Sequence, residues 1–155
     1  MWRILKAVLR RLRGRRDLRR VESVLKRIGR GEVRRDGLRL DKVCSRLTIQ
    51  WRARTVHPWD RNLPVERSAV AFVDQTLADT EAVILGLFDA MPQVDVIDIV
   101  VLEPESDRTM MAGTVSRSVV ARPRGLLSVK MRLYELGVQY RLAGSHFEAL
   151  DLGPN

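Results

Sequence analysis

Apolar residues recur at spacings of three and four from the start of the chain. Trp2, Leu5, Val8, Leu9 and Leu12 share one helical face, flanked by Arg3, Lys6, Arg10 and Arg13. A second set, Leu18, Val21, Val24, Leu25 and Ile28, repeats the spacing. Here Asp17 suits a helix start, Glu22 and Lys26 stand in favourable i,i+4 order, and Gly29 suits the stop. At about 100° per residue the first stripe centres near ~130° and the second near ~300°, so one straight helix would show them on nearly opposite sides. The pattern predicts two helical segments. Either the chain bends around Gly14, Arg15 and Arg16, or the first segment faces something other than the body on which the second docks.

After Gly29 and Gly31 the pattern changes. Asp36-Gly37 between the short stretches Val33–Arg35 and Leu38–Leu40 is a hairpin signal. Leu47, Ile49, Trp51 and Ala53 alternate with Thr48, Gln50, Arg52 and Arg54, the period of two of a half-buried strand over residues 46–55. From Val65 to Met91 the set Val70, Val73, Leu77, Ile84, Leu87, Phe88 and Met91 predicts a long helix closed by Pro92. Val94 to Glu103, rich in Val and Ile at both parities, reads as a central strand covered on both faces. Pro104–Asp107 turns the chain, and Arg108 to Arg117 returns as its hairpin partner. A further helix follows Pro123, with Leu126, Val129, Leu133 and Leu136 on one stripe and Gly137 at its end. Val138–Leu142 and His146–Leu150 close the chain as a hairpin around Ala143-Gly144-Ser145.

The order from residue 46 is βαββαβ plus one strand, which predicts an α+β fold of the ferredoxin-like, split βαβ kind, a two-layer sandwich. The organisation expected is a basic amphipathic helical arm over residues 1–31 and an α+β body over residues 32–152.

Charge sharpens that division. Residues 1–39 hold 15 of the 28 Lys and Arg against 4 of the 19 Asp and Glu, a net +11, which leaves −2 for the rest of the chain. Arg outnumbers Lys 24 to 4 throughout, so arginine identity reflects overall composition, whereas its clustering does not. With 45% apolar and 30% charged residues the chain falls in the ordinary globular class. A single cysteine, Cys44, provides no internal disulfide and leans the compartment towards the cytoplasm. No apolar run approaches the roughly 20 residues that span a bilayer, and the arginine-interrupted start lacks a signal-peptide core.

Chemistry-bearing patterns are sparse. Cys44, His57 and His146 have no metal-ligand spacing, and no glycine-rich phosphate loop is present, so neither a metal nor a small-molecule cofactor is expected. Asp95, Asp98, Glu103 and Asp107 invite a metal-dependent nuclease reading, but Asp95 and Asp98 leave opposite strand faces, which favours structural ion pairs. The most concentrated polar cluster is the loop His57, Trp59, Asp60, Arg61 and Asn62, a site for acid–base or anion chemistry. The structural alternative has Trp59 covering the core edge and Asp60 or Asn62 capping the long helix. Cys44 has no activating neighbours and reads as a small buried hydrophobe. The strand after residue 108 lacks the aromatics of a base-stacking sheet. No catalytic constellation emerges.

The function expected is therefore a non-enzymatic accessory or adaptor protein in the cytoplasm, peripheral to a membrane, whose body meets a protein partner or larger assembly. Its arm would dock to an anionic membrane surface or to a larger assembly through Trp2, Leu5, Val8, Leu9 and Leu12, with Arg3, Lys6, Arg10, Arg11, Arg13, Arg15, Arg16, Arg19 and Arg20 supplying charge. One alternative is nucleic-acid binding, with the same cations on phosphates. Another is a small hydrolase centred on His57, Asp60 and Arg61.

Overall fold

A computed structural model of the chain describes residues 15–27, 32–33, 37–56, 59 and 62–153. Within them the fold is mixed α+β. The helices are α1 (residues 15–27), α2 (Val65–Ala90), α3 (Arg117–Val120) and α4 (Val129–Leu136). The strands are β1 (Glu32–Val33), β2 (Arg39–Asp41), β3 (Arg46–Arg52), β4 (Val96–Leu102), β5 (Thr109–Ser116), β6 (Val138–Tyr140), β7 (Leu142–Ala143) and β8 (His146–Phe147). The main sheet runs β1-β3-β4-β5-β6 with β2 also on β3, and β7 and β8 form a separate hairpin.

Strict alternation fixes which face of the sheet is covered. Leu47, Ile49 and Trp51 of β3 stand beside Ile97, Ile99 and Val101 of β4, all buried, and join the buried residues of α1, α2 and α4 in one core. The opposite parity places Thr48, Gln50, Asp98 and Val100 on a half-buried outer face. β4 is thus central in the sheet with Ile97, Ile99 and Val101 buried on one face and Val96, Asp98 and Val100 only half-buried on the other, unlike the two fully covered faces expected from its Val/Ile content.

The expected βαββαβ order of elements is present, but its arrangement in space differs from the split sandwich. There a strand separates the two parallel strands, whereas β3 and β4 bond each other directly over seven residue pairs. β5 and β6 then continue the sheet as an antiparallel meander. The outer edge of β3 is taken by its own preceding segment, which leaves no place there for the last strand.

That preceding segment corrects the Asp36-Gly37 hairpin. β1 and β2 lie end to end on the same edge of β3, both antiparallel to it, and the turn is Lys42–Ser45. Asp41 Oδ1 accepts from the amides of Val43 (2.9 Å) and Cys44 (3.2 Å), and Ser45 closes the turn at φ +50°. Gly37 serves close approach instead, since a Cβ on it would fall 2.6 Å from Gln50 Cβ. Cys44 is exposed in this turn rather than buried.

α2 begins at Pro64 without a side-chain cap, so Asn62 does not cap it, and Trp59, 85% exposed, does not cover the core. Val70 and Leu126 also face solvent, outside the stripes expected of them. In α4, Ser128 Oγ accepts from the Met131 amide and Gly137 ends the helix at φ +92°, the left-handed stop read from its position. Tyr140 and Phe72 both meet Phe147 edge-on, which locks the β7–β8 hairpin against α2.

Candidate functional site

α1 spends its apolar stripe on the core: Val21, Val24 and Leu25 are 0–3% exposed. This fixes the helix in rotation, and its opposite side becomes a surface of known content. Arg15, Arg16, Arg19, Arg20, Lys26 and Arg27 are all exposed and fall within an arc of about 140°, with Ser23 the neutral residue among them. The two acids of the helix, Asp17 and Glu22, lie outside that arc and are half-buried. Asp17 faces Lys42 of the β2–β3 turn at 3.6 Å, an ion pair that ties α1 to the sheet edge. None of the six outward cations is ion-paired to a described residue. Like charges this close along one helix face repel and favour an anionic partner.

Beside this face is a cleft of about 410 Å³. Arg16 and Arg20, one helical turn apart, form one side; Lys42 and Ser45 from the turn and Gln93 beyond α2 form the other. Asp41 also lines it, but its carboxylate is engaged by the turn amides of Cys44 and Val43, which hold its pKa below the ordinary value.

Arg15, Arg16, Arg19 and Arg20 thus lie on one exposed face of α1. Lys26 and Arg27 belong to the same face although the charge cluster alone did not single them out; their helical phase does. Trp2, Arg3, Leu5, Lys6, Val8, Leu9, Arg10, Arg11, Leu12 and Arg13 lie outside the described residues, as do His57, Asp60 and Arg61 of the polar loop. Of that loop's remaining members, Trp59 and Asn62 are exposed.

The four acids considered for a metal face arginines instead. Asp98 receives Arg46 through Nε and Nη2 (2.5 and 2.7 Å) and the Thr114 hydroxyl (2.6 Å). Asp107 pairs with Arg52 and Glu103 with Arg108, both at 2.6 Å, and Asp95 stands 4.0 Å from Arg117. Partial burial pushes the Asp98 carboxyl up, but the Arg46 and Thr114 hydrogen bonds and the Arg46 charge outweigh it, leaving Asp98 below its ordinary pKa. Among the described residues no group of three or more His, Cys, Asp or Glu converges to hold a metal ion, and no helix is long and apolar enough to cross a membrane. Compared with models of protein families, with curated proteins and with solved structures, the chain gives no match.

Proposed function

We propose that the chain is a non-enzymatic adaptor that lies against an anionic membrane surface through the outer face of α1 and presents its α+β body to a protein partner. The observation that carries this reading is the exposed face of α1, which holds six cations and no acid, held in place by a buried apolar stripe on the same helix. A cation close to an anionic leaflet contributes about 1 kcal/mol, so six contribute about 6 kcal/mol, a Kd on the order of tens of micromolar. That is a weak anchor, and a second element is needed. The stripe Trp2, Leu5, Val8, Leu9 and Leu12 supplies it, since a basic segment whose apolar residues recur at helical spacing can bury them below the headgroups of an anionic leaflet.

Sedimentation of the full chain with vesicles tests this. Binding is expected to vesicles of phosphatidylserine in phosphatidylcholine, weak binding to phosphatidylcholine alone, and at least tenfold loss on reversing Arg15, Arg16, Arg19 and Arg20 together to Glu. Equal binding to both vesicle types overturns the reading. Binding to duplex DNA without binding to vesicles replaces it with a phosphate-binding arm, recognised by log K falling with log salt at ~0.9 per phosphate contacted.

A further inference from the structure

A second hollow, of about 710 Å³, opens between α1, β2 and the lower end of β3. Its floor is Val21, Leu47 and Met91, all buried, and its walls are Leu18, Leu38 and Leu40, all half-buried. Val21, Leu47 and Met91 belong to the same core as Ile49, Ile84 and Leu87, so the hollow opens directly onto the core of the fold. Its volume is that of a small-molecule site, within the roughly 300–1,000 Å³ such sites occupy.

The groove is continuous with the cationic cleft, sharing Asp17, Leu40, Asp41 and Lys42 with it. One compartment is leucine-lined and the next carries Arg16, Arg20 and Lys42; the two arginines have no described partner, whereas Lys42 faces Asp17 at 3.6 Å. An extended apolar body ending in a negative group matches both. We infer that the groove takes one acyl chain of an anionic single-chain amphiphile from the membrane, with the chain over Leu47 and Met91 and the acidic head at Arg16, Arg20 and Lys42. The source of the ligand rests on the membrane reading above; the groove itself does not.

Calorimetric titration of the full chain with laurate below its micellar concentration tests this. One laurate per chain is expected to bind, with affinity falling roughly tenfold for each pair of methylenes removed, through decanoate to octanoate. Dodecyltrimethylammonium, the same chain with the opposite charge, is expected to bind at least tenfold more weakly. Leu18→Phe fills the groove and should lose laurate at least tenfold while still sedimenting with anionic vesicles. The double exposed substitution Arg16→Gln with Arg20→Gln, which leaves the core untouched, should also weaken laurate at least tenfold. Absence of laurate binding, affinity independent of chain length, or equal binding of the cationic amphiphile overturns the inference. If vesicle binding fails and laurate binding holds, the docking reading falls and the groove stands; the reverse result removes the groove alone.

Discussion

The guanidinium of Arg117 lies 4.9 Å from the centre of the Phe88 ring while its Nη2 donates to the Phe88 carbonyl oxygen at 3.1 Å. The same nitrogen reaches the carbonyls of Met91 (2.9 Å) and Val94 (2.6 Å), and Nε also donates to Val94 (2.9 Å). α2 has no basic residue in its last turn, so the carbonyls that its end leaves unpaired are satisfied from the start of α3, 29 residues away in sequence from Phe88. Arg117 thereby fastens the end of the crossover helix to the β5–α3 corner.

Arg117→Lys should destabilise the fold by about 2 kcal/mol in urea denaturation, although it keeps the charge. A single ammonium cannot serve three carbonyls and stack on a ring at once, and hydrogen bonds to charged donors contribute about 1.5–3 kcal/mol each before the partial exposure here is discounted. Stability equal to the parent would show that water replaces these contacts.

Two carboxylates should give acid responses of opposite sign. Asp98 is held below its ordinary pKa, so its contribution is present above about pH 4 and is lost as pH falls through the lower folded value. Burial pushes Asp79 up, and the bidentate Arg54 contact (2.7 and 3.2 Å) offsets this only in part. Its contribution is therefore largest below about pH 4 and is lost as pH rises through the raised folded value. Measured between pH 7 and pH 3, the stability gap between parent and Asp98→Asn, about 1 kcal/mol at neutrality, should shrink towards acid, whereas the gap between parent and Asp79→Asn should move in the parent's favour. Gaps that move in the same direction would contradict the assignment.

Gly113 and Gly144 separate a glycine required by contact from one required by backbone angle alone. A Cβ on Gly113 would meet the Gly137 carbonyl oxygen at 2.4 Å and Val138 Cα at 2.9 Å, so the β5–β6 pairing would have to part. At Gly144 nothing lies within 4 Å and only φ +60° opposes a side chain. Gly113→Ala should cost about 3 kcal/mol or more and Gly144→Ala about 1 kcal/mol by thermal or urea unfolding. A reversed order would mean that β6 shifts freely along β5.

These residues also show what a single sequence discloses. Gly137 was legible because a left-handed stop follows from its place after a helical stripe; Gly113 was not, since its neighbour comes from a strand 25 residues on. The alternation over β3 disclosed which side chains enter the core but not which strand lies beside them, hence the wrong strand order. Asp36-Gly37 misled because its turn chemistry is the same whether glycine turns the chain or lets Gln50 approach, while Asp41, the acid that does organise the turn, carried a weaker signal. The cationic face was legible in phase: residues 15, 16, 19, 20, 26 and 27 oppose 21, 24 and 25 on any helix.

That opposition makes the two halves of the expected arm separable by truncation. Val21, Val24 and Leu25 belong to the same core as Leu47 and Met91, so α1 is part of the folded body although its sequence reads as the continuation of a tail. Removing residues 1–13 should leave the unfolding free energy within about 0.5 kcal/mol of the parent's while weakening vesicle binding, because the leucine stripe goes and the cations of α1 stay. Removing residues 1–31 should instead uncover the core beside Leu47 and cost several kcal/mol, as Leu25→Ala alone should cost about 2–5 kcal/mol. Urea denaturation of the three chains, read by the buried Trp51, distinguishes these outcomes. A 32–155 fragment as stable as the parent would mean that α1 is not part of the core, and with it would go the fixed rotation on which the cationic face depends.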